Sequence, residues 1–164
     1  MADRFIALDW GTTSFRAYIA DTAGHTHDSI AAPDGILSVH DGKFEAALER
    51  HIGHWDKRLP VLAAGMITSR QGWIERPYLP CPARPQQIAQ ACVELLDGLV
   101  HIVPGLSCRN RLNAPDVLRG EETQILGALR LNPALSSGRQ LLCLPGTHTK
   151  WVLVEDGSVR EFLT

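Results

Sequence analysis

Two short stretches near opposite ends of the chain carry residues suited to gripping an anion. They are "LDWGTT", with Asp9, Gly11, Thr12 and Thr13, and "LPGTHTKW", with Gly146, Thr147, Thr149 and Lys150. In each, a glycine lies between two runs of strand-forming residues and is followed by threonine. Glycine lets the backbone bend so that successive N–H groups converge, and such concavities bind anions. Threonine adds a hydroxyl without adding charge. One such turn is weak evidence, because glycine and threonine suit many hairpins. Two of them, ending strands able to lie side by side, are a stronger pointer.

The elements that must carry these turns are readable from periodicity. Strands are predicted over residues 4–10, 14–21 and roughly 26–32, an opening antiparallel meander. In "DGKFEAALERHIGHWDKR", Phe44, Ala47, Leu48, Ile52 and Trp55 share one helical stripe, and His51 lies at its edge as a boundary residue of a packed helix. "LPVLAAG" reads as a short buried parallel strand. The polar, proline-broken "MITSRQGWIERPYLPCPARP" that follows is longer than a connection requires. A helix is predicted from about Pro85 to Leu96 and a strand in "GLVHIVPGL". A third helix is predicted to start at Asn113, with Pro115 in its first turn and Leu118, Ile125, Leu126 and Leu129 on its buried side. Three strands, with turns at "PGT" and "EDG", finish the sequence, and there is no internal repeat or low-complexity segment.

Composition narrows the class. A chain of 164 residues suits one domain with a real core; 45% of it is apolar and 21% charged, as in soluble globular proteins. A net charge of −2 gives no electrostatic reason to expect nucleic acid or an acidic membrane surface. "MADRFIALDWG" lacks the basic start and long apolar core of a signal peptide, and no apolar run reaches membrane-spanning length. Cys81, Cys92, Cys108 and Cys143 form no C-x-x-C pair, and the seven histidines supply no zinc spacing. Reduced thiols in a cytoplasmic protein are the expectation.

"DWGTT", "GMITSRQGW", "PDVLRGEETQ" and "LPGTHTKW", in that order, resemble the 2-dehydro-3-deoxygalactonokinase family of the sugar kinase, heat-shock ATPase and actin superfamily. The resemblance runs essentially the whole length of the chain. It implies an α/β, ribonuclease H-like (actin-like ATPase) lobe, with a mixed sheet that begins as an antiparallel three-stranded meander and is flanked by helices. It also implies ATP- and Mg2+-dependent phosphorylation of 2-dehydro-3-deoxy-D-galactonate on its terminal hydroxyl, in galactonate catabolism. Members of the family are considerably longer, with a second lobe that clasps the adenosine. Residues 1–164 are therefore expected to form an N-terminal sugar-acid and phosphate-binding lobe, with the adenosine-binding lobe absent from this sequence.

On that resemblance, Asp9 is the magnesium partner, acting through water because magnesium keeps much of its hydration. Gly11, Thr12 and Thr13 present donors to the outer phosphates, and Gly146, Thr147 and Thr149 form the second cradle. Many superfamily members place an aspartate at the head of that second hairpin; Pro145 stands there here, which leaves Asp9 more of the metal role. Lys150 either helps to neutralise phosphate or is an exposed strand-edge lysine. In related glucokinases an "NDA" at a helix start carries the general base, and "NAPDVLRGEE" occupies the comparable place, so Asp116 is the proposed base. Its bland alternative is a helix-dipole partner three residues after an Asn113 cap. Glu121 and Glu122 are further candidates, although such a pair is more often a solvated helix face. A substrate carboxylate favours arginine. Ser69, Arg70 and Gln71, with Trp73 as a wall, are the leading substrate contacts, and Arg16 and Arg119 are further ones.

Two other readings stay open: a kinase for a different sugar or sugar acid in the same superfamily, and a truncated, non-catalytic lobe that binds a sugar acid or a partner protein. An actin-like filament protein has no use for the sugar-acid loop. The expected partner is a small-molecule sugar acid, with no nucleic acid and no membrane; homo-oligomerisation stays open.

Overall fold

The computed structural model describes residues 3–146 and 148–164. Thr147, one of the second-cradle residues, lies outside the described residues. In chain order the elements are β1 (Arg4–Trp10), β2 (Phe15–Asp21), β3 (Thr26–Ala32), α1 (Phe44–Ile52), β4 (Val61–Ala64) and β5 (Leu79–Pro80). There follow α2 (Pro85–Gln90), β6 (Val93–Leu95), β7 (Val100–Ile102), β8 (Leu106–Arg109) and β9 (Pro115–Leu118). The last are α3 (Glu121–Leu131), β10 (Arg139–Leu144), β11 (Lys150–Glu155) and β12 (Ser158–Leu163). Contacts divide the chain into two compact units: the residues up to Arg76 with Val93–Val103, and Pro77–Cys92 with Pro104–Thr164.

The first unit is built on a six-stranded sheet of order β3-β2-β1-β4-β7-β6. β1, β2 and β3 form the antiparallel meander expected from sequence, β4 and β7 add in parallel, and β6 returns antiparallel to β7. This is the ribonuclease H-like mixed sheet that the motifs implied. Successive strand residues point to opposite faces, so Ile6, Leu8 and Trp10 of β1 join Phe15, Ala17, Val61, Ala63, Val100 and Ile102 in one buried layer. Against that layer α1 lays Phe44, Ala47, Leu48 and Ile52. Trp55 is buried as expected but lies just beyond the helix, where its backbone N–H donates to Ile52 O. The buried indoles find acceptors: Trp10 Nε1 donates to Asp34 O at 3.0 Å, and Trp55 Nε1 to Asp28 Oδ2 at 2.9 Å. His51 stacks on Phe15, with ring centroids 4.3 Å apart, and its Nε2 lies 3.2 Å from Asp34 Oδ2, as befits a boundary residue.

The second unit holds two three-stranded sheets, β5-β8-β9 and β10-β11-β12, with α2 and α3. Two sequence expectations fail here. The helix from Pro85 ends at Gln90, and Val93–Leu95 is a strand. The signal lay in "LDGL": Leu96, Asp97 and Gly98 all have positive φ and turn the chain between β6 and β7. The helix expected from Asn113 begins only at Glu121. Asn113, at φ +59°, is a turn residue of the β8–β9 hairpin, where Asn110 Oδ1 accepts the N–H groups of Leu112 and Ala114. Asp116 is therefore on a strand, so the dipole-partner alternative for it falls away. Among the described residues the β1–β2 and β10–β11 hairpins belong to different sheets, so the expected side-by-side pairing of their strands is not found.

The approach to α3 is braced by the helix's own acids. Gly120 (φ +105°) precedes the helix, Glu121 Oε2 accepts the Arg119 N–H at 2.9 Å, and Glu122 Oε2 accepts the Gly120 N–H at 2.7 Å. Glu122 is completely buried, against the expectation of a solvated pair. Burial pushes its carboxyl up to about 8; the N–H groups of Glu122 and Gly120 oppose that shift, and neighbouring Glu121 adds to it.

Asp21 shows the reverse shift. The His25 N–H, then the His27 ring at 2.8 Å, hold its carboxyl well below the ordinary value of 3.8, with smaller help from the Ala23 N–H. The two acids predict pH effects of opposite sign. The folded state binds the Asp21 proton less tightly than the unfolded chain does. Its contribution is therefore present above a pH of about 4 and is lost as the pH falls from there. Glu122 binds its proton more tightly when folded, so its contribution is full below pH 4.5 and is lost as the pH rises to about 8. In urea unfolding, Asp21→Asn should flatten the acid limb of stability. Glu122→Gln should flatten the slope between pH 5 and pH 9 and become relatively more stable towards the alkaline end.

Candidate functional site

The β1–β2 turn is where sequence and geometry meet first. Gly11 N–H closes the turn onto Ser14 O at 2.8 Å. From behind, the segment after Pro33 is pressed against it: Ile36 N–H donates to Gly11 O at 3.0 Å and Leu37 N–H to Thr12 O at 3.3 Å. Only glycine fits at position 35, because a Cβ there would come within 2.2 Å of Thr12 O. The turn's carbonyls are thus engaged on one side. The N–H groups of Thr12, Thr13 and Ser14 have no acceptor among the described residues, and Thr12 and Thr13 are exposed. Three successive free donors at an exposed bend make the kind of concavity that takes a phosphate oxygen.

Asp9 stands beside this turn. It alternates with Leu8 and Trp10, so its side chain leaves the core face, and its cross-strand neighbour is Arg16. Arg16 Nη1 lies 3.2 Å from Asp9 Oδ2, with both side chains substantially exposed. Oδ1 has no hydrogen-bond partner among the described residues. One half-exposed carboxylate with a spare oxygen fits a hydrated magnesium whose other ligands are phosphate and water. Among the described residues no group of three or more His, Cys, Asp or Glu gathers at one point, so there is no all-protein cage to compete with that arrangement. Arg16 is engaged by Asp9, which gives it a role in holding the carboxylate.

The loop after β4 turns tightly back on itself. Gly65, at φ +95°, ends the strand, and Thr68 closes a short 3-10 turn onto its carbonyl through both N–H and Oγ1. Ser69 and Gly72 then bracket a second turn, with Arg70 and Gln71 exposed at its tip. Arg70 has no ion-pair partner among the described residues. Ser69 Oγ is buried without a hydrogen-bond partner among the described residues. Trp73 does not wall this tip: its ring stacks on Phe44 at 6.2 Å and lines a groove beside α1 with Leu48 and Ile52.

In the second unit, Asp116 is held by three donors. The Thr164 N–H reaches Oδ2 at 2.8 Å, the Thr164 hydroxyl reaches Oδ1 at 2.7 Å, and the Val117 N–H reaches Oδ1 at 2.8 Å. Lys150 is neither an exposed edge lysine nor a free cation. It is buried, and Nζ donates to Val117 O at 3.0 Å and Thr164 Oγ1 at 2.6 Å. Arg119 lies over the Tyr78 ring, 4.2 Å from its centroid. Gly146 has open space where a Cβ would stand, and Thr149 Oγ1 donates to Gly146 O at 3.2 Å. The sequence reading missed Ser14, Gly35, Gly65 and Tyr78. "PDGI" and "AAGMI" were the available signals for the two glycines, but their meaning depends on which backbone they meet.

Residues 9–164 match the model of the 2-keto-3-deoxy-galactonokinase family. A Rhizobium meliloti (strain 1021) protein assigned as a 2-dehydro-3-deoxygalactonokinase is 38% identical, over 99% of this chain and 53% of its own length. The 2-dehydro-3-deoxygalactonokinase of Escherichia coli (strain K12) is 34% identical, over 100% of this chain and 54% of its own length. A crystal structure described as a 2-dehydro-3-deoxygalactonokinase protein from Sinorhizobium meliloti superposes with a TM-score of 0.83 at 38% identity, over 96% of this chain and 52% of that one. The chain spans about half the length of the curated relatives it matches. With its four motifs in order and its fold shared with that structure, the chain belongs to the 2-keto-3-deoxy-galactonokinase family.

Proposed function

We propose that this chain forms the sugar-acid and phosphate-binding part of a two-lobe kinase that transfers the γ-phosphoryl group of ATP to the terminal hydroxyl of 2-dehydro-3-deoxy-D-galactonate. The observation that carries the reading is the β1–β2 turn, with three unengaged N–H groups beside a carboxylate, in a chain of this family. Phosphoryl transfer asks for held phosphates, offset charge and an aligned acceptor more than for covalent help. Thr12, Thr13 and Ser14 supply donors to the phosphates; Gly11, expected among them, spends its N–H on Ser14 O and shapes the turn instead, and Asp9 would hold hydrated Mg2+, which offsets the phosphate charge when bound. Gly146, Thr147 and Thr149 supply the second set of donors. Arg70, with Ser69 and Gln71, binds the sugar acid, its guanidinium fork matching the carboxylate. Arg119, stiffened by Tyr78, is a second anion contact.

In the reaction the acceptor oxygen forms its bond to phosphorus as the bond to the ADP oxygen breaks, and the hydroxyl proton passes to a base. Asp116 is the proposed base. Three donors engage both of its oxygens, so the Thr164 hydroxyl must turn away to free Oδ1 for the acceptor hydroxyl. That observation also favours a second reading, in which Glu121 is the base; it is half-buried and spends one oxygen on the Arg119 N–H.

Calorimetric titration with 2-dehydro-3-deoxy-D-galactonate, its gluconate epimer and Mg-ATP tests the reading. Selective binding of the galactonate form is expected, weakened on the order of tenfold or more by Arg70→Ala, the scale of a lost charge-assisted pair. Equal binding of both epimers would favour a different sugar-acid kinase, and no binding by the folded chain would contradict this assignment. In phosphoryl transfer followed by 31P NMR, Asp116→Asn should slow product formation roughly 100-fold or more. The same loss in Glu121→Gln, with Asp116→Asn active, would move the base to Glu121.

A further inference from the structure

Gly65 occupies an unusual place. It follows β4, whose Ala64 pairs in register with Asp9 on β1, so it lies beside the point where β1 enters the phosphate turn. Its backbone, at φ +95° and ψ −158°, is a conformation that side chains other than glycine's rarely adopt. A Cβ at this position would stand 2.9 Å from Trp10 O and 3.2 Å from Asp9 Oδ1. The oxygen it would press is the one that Arg16 does not hold. Thr68 is fully buried, and its N–H and Oγ1 fix the Gly65 carbonyl at 3.2 and 3.1 Å. Gly65 is therefore held against the aspartate from its far side.

We infer that Gly65 is a positioning residue for the metal-holding carboxylate: the missing side chain leaves Asp9 Oδ1 open, and the Thr68-closed turn keeps that opening in place. The inference rests on the reading of Asp9 as the magnesium partner. Carboxylate orientation is then divided between two neighbours. Arg16 pulls Oδ2 along the strand pair, and Gly65 leaves Oδ1 room for the metal's water. The same glycine precedes the 3-10 turn that leads to Ser69, Arg70 and Gln71, so the residue beside Asp9 Oδ1 and the sugar-acid loop lie on one continuous stretch of backbone. A methyl group at 65 would meet a main-chain carbonyl and the carboxylate together. The carboxylate, on a rotatable side chain, turns away, while the Trp10 carbonyl at 2.9 Å is relieved only by a shift of the backbone that carries Asp9.

The test uses the 164-residue chain with manganese and tripolyphosphate, a probe that needs no adenosine pocket, read by the Mn2+ electron paramagnetic resonance signal. Asp9→Asn should weaken Mn-tripolyphosphate binding. Gly65→Ala should weaken it by roughly tenfold or more, the scale seen when a metal ligand loses its outer-shell support. In the Asp9→Asn background, Gly65→Ala should add no further loss, because both act on the same oxygen. Gly42→Ala, also at positive φ but with nothing within 4 Å of the added carbon, should bind as the wild type does. Thr68→Val loosens the Gly65 carbonyl without inserting atoms and should lower affinity several-fold; it carries the test should Gly65→Ala not fold. Wild-type binding that Asp9→Asn leaves unchanged, or no binding by the wild type, would overturn the Asp9 reading and the inference with it. Loss in Asp9→Asn with wild-type affinity in Gly65→Ala would overturn the inference alone. So would equal losses from Gly65→Ala in both backgrounds, or, should Gly65→Ala not fold, wild-type affinity in Thr68→Val.

Discussion

The close approach of Gly35 to the Thr12 carbonyl is the constraint from which the first unit's site follows. With no side chain at 35, the Ile36 and Leu37 N–H groups reach the back of the β1–β2 turn and engage its carbonyls. A turn held in that way presents N–H groups on its other side, with little left to reorganise when an anion arrives. Preorganised donors are worth more than flexible ones because the ordering cost is met in folding. Trp10 extends the same clamp: its ring is buried edge-on against Phe15 and Phe44, and its indole N–H is tied to Asp34, one residue before Gly35. Trp10 thus links the hydrophobic core to the segment that backs the β1–β2 turn.

Strand alternation then separates structural from chemical work. On β1, Ile6, Leu8 and Trp10 hold the sheet to α1, while Asp9 points from the opposite face, next to Arg16. Hydrophobic burial fixes the strand register, and register alone sets which arginine meets which aspartate. A one-residue slip would bury the carboxylate and expose the indole, so the packing of the core fixes the chemistry.

Much of this was legible in the residues. Alternation marked the first three strands closely, and the stripe Phe44, Ala47, Leu48 and Ile52 marked α1. The failures have physical causes. Asn and Pro serve helix starts and hairpins equally well, so Asn113 and Pro115 pointed to a helix where tertiary pairing with β8 made a strand. Two glutamates in a first helical turn look solvated, yet Glu122 folds back onto the Gly120 N–H and is buried there. Lys150 could not be read as buried, because the groups that satisfy it, Val117 O and the Thr164 hydroxyl, come from distant positions in the chain. Gly35 and Gly65 carry meaning only through the backbones they touch, which no local window contains.

The central claim is that the N–H groups of Thr12, Thr13 and Ser14 receive phosphate. Amide proton–nitrogen correlation spectra of the 15N-labelled chain, recorded during titration with Mg-ATP, test it most directly. The account predicts saturable downfield shifts concentrated on those three amides, with slowed solvent exchange once phosphate is bound. Binding that moves other amides and leaves these three in place would contradict it.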